Sequence, residues 1–143
     1  MLYCIFAMFK LCVKNRYNVN CSDRTLLDRL QKDLPYAKML DKAAFAIIVC
    51  GNPNKDSVFA KTFWIQDCSA ATENMLLAAH ALGYGAVWTA AYPEEDRIKI
   101  VRQVCNIPGD IIPLNVIPVG KIEPGTGNVK DKFKKEYIHW NTW

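Results

Sequence analysis

Residues 75–82 read "MLLAAHAL", and only His80 in that stretch is polar. They close a longer run, "TFWIQDCSAATENMLLAAHALG" (62–83), whose length and spacing predict a helix ended by Gly83. A helix apolar on every side must be covered by protein on every side. The chain has 143 residues, enough for one domain with a modest core. Two arrangements satisfy the helix: it packs against a second copy of the chain, or it is buried at the centre of one. The first is the expectation carried forward.

The segments around this helix suit a sheet. "AAFAIIVCG" (43–51) is a continuous apolar run closed by Gly51-Asn52-Pro53, which reads as a strand buried on both faces. "YNVNC" (17–21) is a short strand with poor alternation, and "GAVWTAAY" (85–92) a buried one. "DIIPLNVIPVGKI" is strand-like but interrupted by Pro113 and Pro118, which predicts an edge or irregular strand. Two more helices complete the pattern. "SDRTLLDRLQKDL" offers Ser22 as N-cap and leucines at helical spacing, and "PEEDRIKIVRQVCNI" places Pro93 at a helix start with acids in the first turn. The class is α+β, one sheet wrapped by helices.

Composition narrows the function. Half the residues are hydrophobic, 22% are charged, and the net charge of +4 is scattered, so neither nucleic acid nor a membrane surface is an expected partner. Six cysteines form no C-x-x-C pair and have no histidine at ligand spacing, which argues against zinc; Cys50 and Cys68 read as small buried hydrophobes of a reduced, cytoplasmic protein. The opening "MLYCIFAMFKLCVK" is broken by Lys10 and too short to span a bilayer; no basic region precedes it and no cleavage site follows. It reads as an atypical start to a soluble domain.

Catalytic motifs are missing. Gly83 and Gly85 follow a helix instead of preceding one, so phosphate would not meet a helix N-terminus there. Gly125-Thr126-Gly127 before Lys130 misses the phosphate-loop pattern and reads as a surface turn. His80 reads as a core or interface histidine, His139 lies in the tail, and Asp67 and Glu73 read as capping or pairing groups. Any chemistry would belong to a cofactor.

The blocks "FWIQDCSAATENMLLAAHALGYGAVWTAAYP", "EEDRIKIVRQVCNIP", "PLNVIPVGKI" and "KDKF…IHWNTW", in that order, resemble the nitroreductase family of FMN-dependent oxidoreductases. "DRTLLDRL…PYAKML…AAFAIIVCG" extends the resemblance over 22–143, leaving 1–21 as an atypical N-terminal segment; the family's arginine-rich "RRS-x-R" and "PSA-x-N-x-Q-PW" motifs do not occur. The resemblance implies a central, mostly antiparallel sheet flanked by helices, N-terminally truncated, in a homodimer joined through the long helices. It implies FMN beside Thr89, Ala90 and Ala91, with Lys130 and Lys132 at the phosphate. It further implies NAD(P)H as electron donor and a nitroaromatic, quinone or similar small molecule as acceptor. The alternative is a non-enzymatic truncated relative that keeps the dimer scaffold without the cofactor.

Overall fold

The computed structural model describes residues 16–55, 58–125 and 131–143. Residues 1–15, 56–57 and 126–130, and with the last Lys130, lie outside the described residues. The chain runs β1 (Arg16–Cys21), α1 (Arg24–Asp33), a 3₁₀ turn (Lys38–Asp41), β2 (Phe45–Gly51), α2 (Val58–Ala81), β3 (Tyr84–Ala86), β4 (Thr89–Ala90), α3 (Glu95–Cys105) and β5 (Ile112–Lys121). A second 3₁₀ turn, Lys135–Tyr137, lies in the C-terminal tail. Five strands form one sheet in the order β1-β2-β5-β3, with β4 also on β5, and every pairing is antiparallel. This is the expected α+β architecture.

β2 explains why its sequence has no polar alternation. Ala46, Ile48 and Cys50 turn to one side, where α1 and α3 supply Leu27, Leu30 and Val101. Ile47 and Val49 turn to the other, against Trp64, Cys68 and Met75 of α2. A strand covered on both faces must be apolar at every position. β1 lies along β2 from Arg16↔Gly51 to Cys21↔Ala46.

The two prolines of β5 predict an edge or irregular strand; the structure places it inside the sheet, and irregular, with a register shift opposite Pro113. β2 runs along one side of it, and β3 and β4 lie on the other. Each proline sits where its missing N–H costs little. Pro113 faces Cys50, where the β2–β5 register shifts. The Pro118 carbonyl accepts from Val87 N at 3.4 Å, so its nitrogen, turned the same way, faces the gap between β3 and β4. That gap also corrects the single strand expected over 85–92. Without a donor opposite, the ladder stops at Ala86 and resumes at Thr89.

Helix ends differ by small steps from the sequence reading. Asp23, not Ser22, caps α1: its carboxylate accepts from Thr25 N at 2.8 Å and Leu26 N at 3.4 Å. A carboxylate at that position meets two unpaired amides at the positive end of the helix. α3 starts at Glu95, with Glu94 at the N-cap and Pro93 in the preceding turn. α2 begins at Val58, a turn before the expected position, because Ala60 packs into the buried face ahead of Trp64.

Two arginines tie loops to the layers. Arg24 donates to the carbonyls of Leu40, Asp41 and Ala43 at 2.7–3.3 Å, fixing the 3₁₀ turn beside α1. Arg102 donates to Gly109 O at 2.9 Å and twice to Ile111 O, closing the α3–β5 connection. Charge-assisted bonds to backbone are among the stronger polar contacts a small domain has. Among the described residues no helix is long and apolar enough to cross a membrane.

At the end of β2, a Cβ on Gly51 would stand 2.5 Å from Cε3 of Trp64. The indole is 5% exposed and has no free side to retreat to. Gly51→Ala is expected to destabilise the fold by about 1–3 kcal/mol, the usual cost of overpacking, read from the urea midpoint at unchanged slope.

Candidate functional site

β4 is the shortest strand, and like β3 it pairs with β5 on one side and has no strand on the other. Next along the chain, Ala91 donates its N–H to Leu114 O at 2.9 Å, and Tyr92 donates to the same carbonyl at 3.0 Å. Antiparallel pairing alternates, so the residue before a bonded one turns both its backbone groups the other way. Ala90, opposite Asn115, therefore points its N–H and C=O at the open edge. The carbonyl meets Nη1 of Arg97 at 3.4 Å. Thr89 turns inward, its hydroxyl donating to Val116 O.

The three residues expected to line a ligand thus fall into different settings. Ala90 is exposed, Thr89 is half-buried, and the Ala91 methyl belongs to the core beside α1 and α3. Ala90 is the member with an outward-facing amide. Lys132 is exposed and enters no ion pair among the described residues, and no hydrogen bond joins it to 89–91. Arg97 was not singled out in the sequence, because Glu94, Glu95 and Asp96 precede it and the run reads as a solvated helix start.

Beneath Ala90 lies an unusual support. Asn115 is fully buried and donates from Nδ2 to Thr72 Oγ1 at 2.8 Å; Thr72, also fully buried, donates to Cys68 O at 2.9 Å. This bridge bolts α2 to β5 directly under β4. The Asn115 Oδ1 is buried and unmatched. Nearby, Tyr92 meets Trp64 edge to face, ring centres 4.9 Å apart.

A concavity of about 780 Å³ opens at the end of β3 and β5, lined by Met39, Lys42, Val87, Pro118, Lys121 and Ile122 among others. The Lys42 ammonium bonds Glu123 at its rim at 3.0 Å, which raises its pKa above the ordinary lysine value.

Acid–base machinery is sparse. His80 is exposed on α2, which corrects the core reading for this single chain; His139 is exposed in the tail and stacks on Trp143 at 4.2 Å. Helix α2 itself has one covered face. Ala60, Trp64, Cys68, Ala71, Thr72, Met75 and Ala79 are buried, whereas Phe59 and Leu77 are 71% and 59% exposed. It is not sheathed by its own chain.

An antiparallel sheet between α2 on one face and α1 with α3 on the other, with an open strand edge at Ala90, defines a layered α+β class. The comparisons narrow it: the model of the Nitroreductase family matches residues 9–121, and the chain belongs to that family. A Methanothermobacter thermautotrophicus protein, provisionally named NADH dehydrogenase/NAD(P)H nitroreductase, is 43% identical over 85% of this chain. The match spans 62% of that relative's length. A solved Bacteroides thetaiotaomicron structure with the same provisional name is 47% identical, covers 92% of this chain and 74% of its own, and superposes with a TM-score of 0.81. An FMN-dependent nitroreductase from Clostridium difficile shares the fold at 21% identity, with a TM-score of 0.85 over 99% of this chain and 87% of its own.

The remaining nucleophiles among the described residues are thiols, and burial disarms them. Desolvation pushes Cys50 and Cys68 up to about 12 and Cys105 to about 11, and raises Cys21 as well. A raised folded-state pKa favours the neutral thiol. That contribution to stability is complete below about pH 9 and is lost as pH rises toward 12. At pH 8, Cys50 and Cys68 are expected to react with a disulfide reagent no faster than the chain unfolds. Peptide mass mapping with and without urea reads this directly; rapid labelling of native Cys68 would contradict it.

Proposed function

We propose that this protein is an FMN-dependent oxidoreductase of the nitroreductase type. It would take reducing equivalents from NAD(P)H and deliver them to a nitroaromatic, quinone or similar small acceptor. The observation that carries the reading is the outward amide of Ala90 on the open side of β4. It is a hydrogen-bond donor with no strand to pair, flanked by small side chains that let a planar ring approach. The relatives' names point the same way.

The residues present fit such a cofactor. Ala90 N–H would donate to an acceptor on the heterocycle edge, Thr89 and Ala91 would hold that strand in place through β5, and Lys132 would meet the phosphate. When bound, FMN supplies the hydride chemistry that the side chains lack. The chain's own part is to orient the ring and leave one face open to substrates. The absence of a nucleophile–base pair around β4 is no obstacle to that division of labour.

A homodimer completes the reading. Phe59, Phe63, Leu77 and Leu82 leave α2 with an uncovered apolar side, and Phe133, Ile138 and Trp140 leave the tail with another. Apolar surface on this scale is what an obligate partner covers. Four unpaired cysteines among the described residues suit a reducing, cytoplasmic compartment.

Purified protein incubated with FMN and desalted is expected to be yellow, with about one flavin per chain, and to oxidise NAD(P)H when an acceptor is added. Lys132→Ala should weaken FMN binding about tenfold, the scale of one exposed charge-assisted contact. A colourless dimer would support a scaffold without redox activity.

A further inference from the structure

We infer that Arg97 is a specificity-determining residue that selects an anionic substrate group, a carboxylate or phosphate, at the edge of the site. The inference rests on the flavin reading above. Ala90 turns its N–H and its C=O to the same open side, and Arg97 Nη1 lies 3.4 Å from that C=O. The guanidinium therefore stands next to the amide that would receive the cofactor, within reach of whatever lies against it.

Its bond to Ala90 is at the long limit for a hydrogen bond and uses one of five N–H donors. Arg24 and Arg102 show what a structural arginine does in this fold: each satisfies two or three carbonyls, several below 3.0 Å. Arg97 does nothing comparable. It enters no ion pair among the described residues, although Glu94, Glu95 and Asp96 precede it; Asp96 lies 3.7 Å from Lys99 instead. An arginine that is half-buried as a residue, with its guanidinium contact to Ala90 exposed and most of its fork unused beside an open backbone edge, is suited to planar, two-point recognition of an anion. Two sources carry that chemistry: an acidic electron acceptor and the phosphate of the nicotinamide donor.

The experiment compares flavin-loaded wild-type protein with Arg97→Ala and Arg97→Lys. Dissociation constants for 4-nitrobenzoate and its methyl ester are read from perturbation of the flavin absorbance without turnover, and those for NADH and NADPH from binding to the oxidised protein under anaerobic, rapid-mixing conditions. In the wild type, the acid should bind more tightly than the ester, and added salt should erode the difference. Arg97→Ala should cut the ester-to-acid ratio of dissociation constants about tenfold, or about 1.4 kcal/mol, with Arg97→Lys in between. A selective loss confined to NADPH supports the inference with the donor's phosphate as the anion. Equal weakening of acid and ester with no change in the NADPH-to-NADH ratio, or no change at all, overturns it while leaving the flavin reading intact. Wild-type protein that takes up no flavin overturns the reading underneath and this inference with it.

Discussion

Strand β5 has neighbours on both sides, and the way it meets them sets the shape of everything nearby. On one side it pairs along β2 with a single register shift at Val49/Cys50. On the other, Pro118 offers a carbonyl and no donor, so the ladder to β3 halts and restarts two residues later as β4. The register against β5 is the same on both sides of that break, and no strand lies beyond β3 and β4. Alternation along this outer side turns the Ala90 amide away from β5, and Arg97 comes to rest beside it.

The layers on either side of the sheet give that edge its stiffness. β2 is packed from above and below, so the central strands have little room to shift. The arginine clamps on the 3₁₀ turn and on the α3–β5 loop fix the connections that would otherwise be free. The outer side of α2 and the tail carry much of the uncovered apolar surface among the described residues, and both are rich in aromatic and aliphatic side chains. The single chain is well finished internally and unfinished on one flank.

Much of the architecture was legible in the residues. The unbroken apolar run at 43–51 read as a strand covered on both faces in preference to a helix, and β2 fills 45–51 of it; the leucines of α1 fell on one stripe. The prolines of β5 left two readings open, an edge strand or an irregular one. The second holds, each proline nitrogen falling at a local break, a relation between strands that no single segment displays. The all-round apolarity of α2 left open whether its own chain or a second copy encloses it; its own chain covers one face only, and His80, read as a core or interface histidine, is not in this chain's core. For the site, small residues at 89–91 could be recognised only by resemblance. Which of the three presents its amide depended on the register with Leu114 and Asn115, and Arg97 emerged only once α3 was folded back against β4.

The amide of Asn115 and the hydroxyl of Thr72 also have a consequence for how the sheet and its long helix are matched. Hydrocarbon surfaces tolerate sliding, because one leucine-sized knob replaces another at modest cost. A lone polar pair does not. If α2 moved along its axis by one turn, Thr72 would keep its bond to Cys68 O but leave the Asn115 amide, which water cannot reach, without its partner. The pair therefore acts as a notch that admits one alignment of helix on sheet, and a stable alignment of α2 is what any second molecule docking on its outer side would encounter.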